Sequence, residues 1–113
     1  MYQLLSSSVE RIKNSPHMSE MLGKSSISVC VICEDEQWLV IFRGRDIEIE
    51  SVKSTVGDVV IEGDLEAYRL LLNGEDFLLS MKRRGELGVS GNLKDLLLLE
   101  SLWYLSKSNR TTK

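Results

Sequence analysis

The sequence predicts a mixed α/β domain of the α+β class, and three observations carry that prediction. Apolar stripes at helical spacing lie near both ends. A run of β-branched and aromatic strands fills residues 27–52. A strand–glycine–cap–leucine unit occurs twice between residues 58 and 105. With 113 residues, the chain fits one domain. It is 42% hydrophobic and 27% charged, values ordinary for a water-soluble globular chain. A net charge of −3 excludes a whole-chain basic footprint for nucleic acid.

Residues 1–25 read as a helical segment. Tyr2, Leu5, Val9 and Ile12 form a three-and-four stripe. Ser15-Pro16 ends this helix, because the proline ring disfavours helix at the residue before it. Met18, Met21 and Leu22 suggest one further turn closed by Gly23.

Residues 27–52 read as an antiparallel meander of three strands. Ile27, Val29, Val31 and Cys33 share one face at period two. Gln37 to Arg43 is apolar on both faces, which suits an inner strand covered on both sides. Asp46 to Glu50 alternates strictly, with Ile47 and Ile49 inward and the acids outward. Glu34-Asp35-Glu36 makes the first turn, and Gly44-Arg45 fits a two-residue hairpin with glycine first.

The second half repeats a unit. Val60-Ile61-Glu62-Gly63-Asp64-Leu65 leads into a helix, and Gly88-Val89-Ser90-Gly91-Asn92-Leu93 leads into another. In each, an Asp or Asn side chain is placed to satisfy an orphan amide of the first helical turn. Gly74 is the expected stop of the first of these helices. Two copies do not build a solenoid, so they read as two βα units of one sheet. Phe77, Leu78 and Met81 lie at helical spacing between them. Residues 106–113 form a polar tail.

Chemical motifs are sparse. Cys30 and Cys33 have the spacing of a metal or redox pair. On a strand, however, residues three apart point to opposite faces, so both read as buried structural thiols. His17, the single histidine, sits in a connecting segment without an orienting partner. Gly63-Asp64 and Gly91-Asn92 resemble anion sites at helix starts, but each is filled by its own cap, and Asp64 repels an anion. Asp64 and Glu66, two apart on a helix, do not face each other. No catalytic set, metal site or cofactor is expected, and the chain does not read as an enzyme. Met1-Tyr2-Gln3 lacks a basic leader, and no apolar run reaches membrane length. The cytoplasm is the expected compartment. Lys82-Arg83-Arg84 reads as solvated cations near a helix end, and any membrane contact is expected to be transient.

The final helix is the most informative. Leu93, Leu96, Leu97, Leu98, Leu99, Leu102, Trp103, Tyr104 and Leu105 nearly encircle it. A surface helix needs one apolar stripe, and a small domain cannot bury more. The excess predicts contact with something else: an apolar ligand, a second subunit or a mobile lid.

The span Asp58 to Leu65, the helix end Leu70-Leu71-Leu72-Asn73-Gly74, the Phe77 to Met81 segment and the run Gly85 to Leu93 resemble, in order and spacing, the second half of sterol carrier protein 2 domains. The meander agrees more loosely. The resemblance implies a five-stranded mixed sheet with helices on one face. It also implies a hydrophobic tunnel between sheet and helices that holds a lipid-like molecule without catalysis. Candidate tunnel walls are Trp38, Val40 and Phe42 from the sheet, and Tyr68, Leu71 and Leu72 from the middle helix. Phe77, Leu78 and Met81 come from the connecting segment, and Leu97 and Trp103 from the last helix. The expected partner is an apolar small molecule or lipid. The alternative is a homodimer through the leucine-rich last helix, as a regulatory module.

Overall fold

A computed structural model describes residues 1–15, 20–23 and 26–106. His17, Met18 and the tail from residue 107 therefore lie outside the described residues. The elements run α1 (Tyr2–Lys13), β1 (Ser26–Cys33), β2 (Glu36–Arg43), β3 (Asp46–Ser51), β4 (Val59–Glu62), α2 (Leu65–Leu72), α3 (Leu78–Arg83), β5 (Gly88–Ser90) and α4 (Leu93–Leu105). Residues 20–22 are also helical.

The five strands form one mixed sheet in the order β3-β2-β1-β4-β5. β1 pairs with β2, β2 with β3, and β4 with β5, all antiparallel. β1 and β4 pair in parallel, with Val29 opposite Val59 and Val31 opposite Ile61. This parallel step arises because the chain crosses from the β3 edge to the far side of β1 before β4 begins.

Period-two alternation places Ile27, Val29, Val31 and Cys33 on one face of β1, and all four are buried. Val40, Phe42, Ile47, Val59 and Ile61 extend that face across the sheet. Leu5, Val9 and Ile12 of α1, Leu71 and Leu72 of α2, Leu78 and Met81 of α3, and Leu96, Leu99 and Leu102 of α4 close over it in one core. Each fully buried Leu or Ile contributes roughly 1.5–3 kcal/mol relative to exposure. The helices thus cover one face, as the sequence implied.

The opposite face differs from the expectation for β2. Leu39 and Ile41 are half-buried, and among the described residues the helices contribute their buried side chains to the other face. Instead, residues 52–58 cross this side on the way from β3 to β4. Asp58 pins one end: its carboxylate accepts from the Ser28 amide at 3.1 Å, and its own amide donates to the Ser28 carbonyl at 2.9 Å. Gly57 packs over Cys30 and Leu39. Cys30 is consequently buried on the side away from Cys33, and both thiols are free.

The repeated units take the same local form. The Asp64 carboxylate accepts from the Ala67 amide at 2.8 Å, and the Asn92 side-chain oxygen accepts from the Asp95 amide at 2.8 Å. α2 ends with the Glu75 amide donating to Leu70 and the Gly74 amide to Leu71. That two-bond closure requires a left-handed residue, and Gly74 has φ of 75°.

Candidate functional site

The candidate site is a cleft between α2 and the end of α3. Asp64 starts α2, so Glu66, Ala67 and Leu70 follow on its first two turns. Gly85 and Glu86 form the turn after α3. Together with Met81 they line a cleft of about 390 Å³, within the range of small-molecule sites. Ala67, half-buried Leu70 and buried Met81 form an apolar floor. The small Ala67 side chain leaves the space that a leucine would fill.

Three carboxylates border the opening. Asp64 is engaged as the α2 cap, and Glu66 lies 3.6 Å from Arg69. Glu86 meets Arg84, whose guanidinium also bonds Asp76. The hydrogen bond from Arg84 holds the Glu86 carboxyl below its usual range, with desolvation opposing it, and Arg84 is correspondingly raised. Arg84 is therefore a clasp joining both ends of α3, rather than one of three solvated cations. The opening is acidic and the floor is apolar.

The eleven residues expected to form tunnel walls fall into three groups. Val40, Phe42, Tyr68, Leu71, Leu72, Leu78, Met81 and Trp103 are at most 3% exposed and belong to one core. Trp38 is half-buried near the start of the inner strand β2. Its ring centroid lies 5.3 Å from that of Tyr2, and its indole N–H donates to Glu36 at 2.8 Å. Phe77 and Leu97 are exposed at 41% and 45%. Only Met81 of the eleven reaches the cleft.

Tyr68 ties the helical layer to the sheet. Its hydroxyl lies 2.8 Å from the carbonyls of Ile32 and Ile61, so it ties α2 to β1 and β4. Asp64, Glu66, Ala67, Leu70, Gly85 and Glu86 were not among the expected ligand contacts. The one sequence signal for them is the lone small residue, Ala67, in a leucine-rich helix.

A second cleft of about 270 Å³ lies between α1 and the β2–β3 turn, lined by Ile12, Lys13, Leu22 and Arg45. Among the described residues, no group of three or more Cys, His, Asp or Glu is placed to hold a metal ion. Cys33 carries a thiol raised by burial first, and then by the charges of Glu34, Glu36 and Asp64.

No family model and no curated protein matches this chain. Solved structures do. A structure titled "UbiJ-SCP2 Ubiquinone synthesis protein" aligns at a TM-score of 0.69 and 18% identity, over 89% of this chain and 85% of that one. A sterol carrier protein domain 2 of Helicoverpa armigera aligns at 0.72 and 14% identity, covering 93% and 86%. The inverting sec-alkylsulfatase Pisa1 of Pseudomonas sp. aligns at 0.66 and 13% identity, over 80% of this chain but only 14% of that one. The chain has the sterol-carrier-protein-2-like fold.

Proposed function

We propose that this chain binds an apolar or lipid-like molecule without transforming it. The cleft between α2 and α3 is the way in. One observation carries the reading: in a sterol-carrier-protein-2-like fold, the apolar floor of Ala67, Leu70 and Met81 connects the surface to the core between sheet and helices. Met81 belongs to both. An unbranched thioether side chain repacks at low cost, so a chain entering the cleft displaces Met81 and continues between α2 and α3. Each methylene buried there contributes about 0.8 kcal/mol before the costs of association.

The bordering carboxylates select the head group. Asp64, Glu66 and Glu86 repel a fatty carboxylate and accept a neutral or cationic head. The favoured ligand is therefore a long-chain alcohol, ester, sterol or amine.

The test is native mass spectrometry of the purified chain with hexadecanol and hexadecanoic acid, read beside tryptophan fluorescence. The expected result is a one-to-one complex with hexadecanol, lost in Leu70→Trp, which fills the cleft. Failure of the wild-type chain to bind hexadecanol, hexadecylamine or cholesterol overturns the proposal.

A further inference from the structure

We propose that residues 75–84, which carry α3, form a gate over the cleft between α2 and α3, and that Arg84 is its latch. The gate rests on the reading that this cleft admits the ligand. Three features define it, and the first is its hinges. Gly74 and Gly85 bound the segment with φ of 75° and 81°, left-handed turns that glycine adopts without strain. Each closes a helix with the same pair of bonds. The Glu75 and Gly74 amides donate to Leu70 and Leu71, and the Glu86 and Gly85 amides donate to Met81 and Lys82. A change of backbone angle at the two glycines moves the stretch between them as one piece. Around Gly85 there is open space, since a Cβ there would meet nothing within 4 Å.

The second feature is what the segment plugs. Leu78 and Met81 are fully buried in the core, and Met81 also floors the cleft. An outward swing of α3 withdraws Met81 and joins the cleft to the space between sheet and helices. Glu100 of α4 seats the start of α3 by accepting from the Leu79 amide at 2.9 Å.

The third feature is the latch. Arg84 donates to Glu86 through Nε and Nη2, both at 3.0 Å, and through Nη2 to Asp76. Asp76 lies near the start of the segment, so that bond keeps its two ends together. Glu86 lies beyond Gly85, so the paired bond crosses the hinge. A two-point guanidinium–carboxylate contact fixes orientation as well as distance, and so holds the hinge shut. The latch is also suited to release. The Arg84 and Glu86 side chains are each 45% exposed, and an exposed ion pair adds little to global stability. Breaking it frees the gate without unfolding the sheet. Because Glu86 borders the cleft, a cationic or hydrogen-bonding head group arriving there competes with Arg84 for the same carboxylate. The ligand thereby opens its own way in.

The experiment is hydrogen–deuterium exchange of the full chain, paired with stopped-flow tryptophan fluorescence on adding hexadecanol. In Arg84→Ala, exchange across residues 77–87 is expected to rise about fivefold, with residues 26–33 and the urea midpoint unchanged. Glu86→Gln raises exchange in the same segment. Arg83→Ala, an exposed cation outside the clasp, leaves it unchanged. Hexadecanol association and dissociation both quicken by a similar factor in Arg84→Ala, so affinity is little altered. A merely structural role would instead move affinity and global stability. Three results overturn the latch: unchanged exchange in either latch variant, a rise spread equally over residues 26–33, or raised exchange with unaltered hexadecanol rates. Failure of the wild-type chain to bind hexadecanol, hexadecylamine or cholesterol is a different outcome, which overturns the lipid reading of the cleft and the gate's purpose with it.

Discussion

The phenol oxygen of Tyr68 lies 2.8 Å from the carbonyl oxygen of Ile61 and equally close to that of Ile32. One side chain of α2 thereby spans the parallel junction of β1 and β4. Tyr68→Phe keeps the ring and removes the hydroxyl. It should lower stability by about 1–2 kcal/mol in urea denaturation at pH 7.

The same residue sets an alkaline limit. Burial pushes the Tyr68 hydroxyl well above the ordinary phenol range, and the opposing hydrogen bond to Ile32 does not cancel this. In the unfolded chain the phenol ionises near pH 10, while in the fold it stays protonated. Above pH 10 the unfolded state therefore binds fewer protons, and stability falls as pH rises. The slope is about 1.4 kcal/mol per pH unit until the folded value is reached. Tyr68→Phe should lose this component, so the gap between variant and wild type narrows or reverses between pH 10 and 12.

Gly91 joins β5 to the cap of α4 with φ of 146°. A Cβ there would sit 2.9 Å from Cγ2 of Val59. Gly91→Ala carries both backbone strain and a clash, and should cost about 1–3 kcal/mol. Asn92→Ala removes only the cap bond to Asp95 and should cost about 1 kcal/mol. Thermal unfolding of the two variants orders them in that sequence.

Cys30 and Cys33 are buried on opposite faces of β1. Neither should react with a thiol reagent at pH 8 in the folded chain, and both should react in 6 M guanidinium. Rapid native labelling of Cys33 would mean that the α1 side opens.

The head-group preference is open to reversal. Glu66→Gln with Glu86→Gln removes two charges from the opening and frees Arg84 from one of its partners. Affinity for hexadecanoic acid should rise by about tenfold relative to hexadecanol. An unchanged ratio, measured by fluorescence titration, would place the head group elsewhere.

Local chemistry was legible in the chain itself. The caps Asp64 and Asn92, the stop at Gly74, the alternation in β1 and the divergence of Cys30 from Cys33 all depend on neighbours within a few residues. Backbone geometry alone decides them. The order of the second-half units also carried the resemblance to the fold, since spacing survives where identity has fallen to 18%.

The placement of the apolar side chains was decided only in three dimensions. The sequence marks Tyr68, Leu72 and Trp103 as apolar or amphipathic in a helical stripe, and a stripe is the same whether it faces a void or another side chain. Packing buried eight of the expected tunnel walls in one core cluster and left Leu93, Leu97 and Leu105 exposed. The cleft brings Asp64, Ala67 and Leu70 of the α2 region together with Met81, Gly85 and Glu86 at the end of α3, residues separated in the chain. Hydrophobicity is a property each residue carries alone; whether it meets protein, ligand or water depends on what the fold sets opposite it.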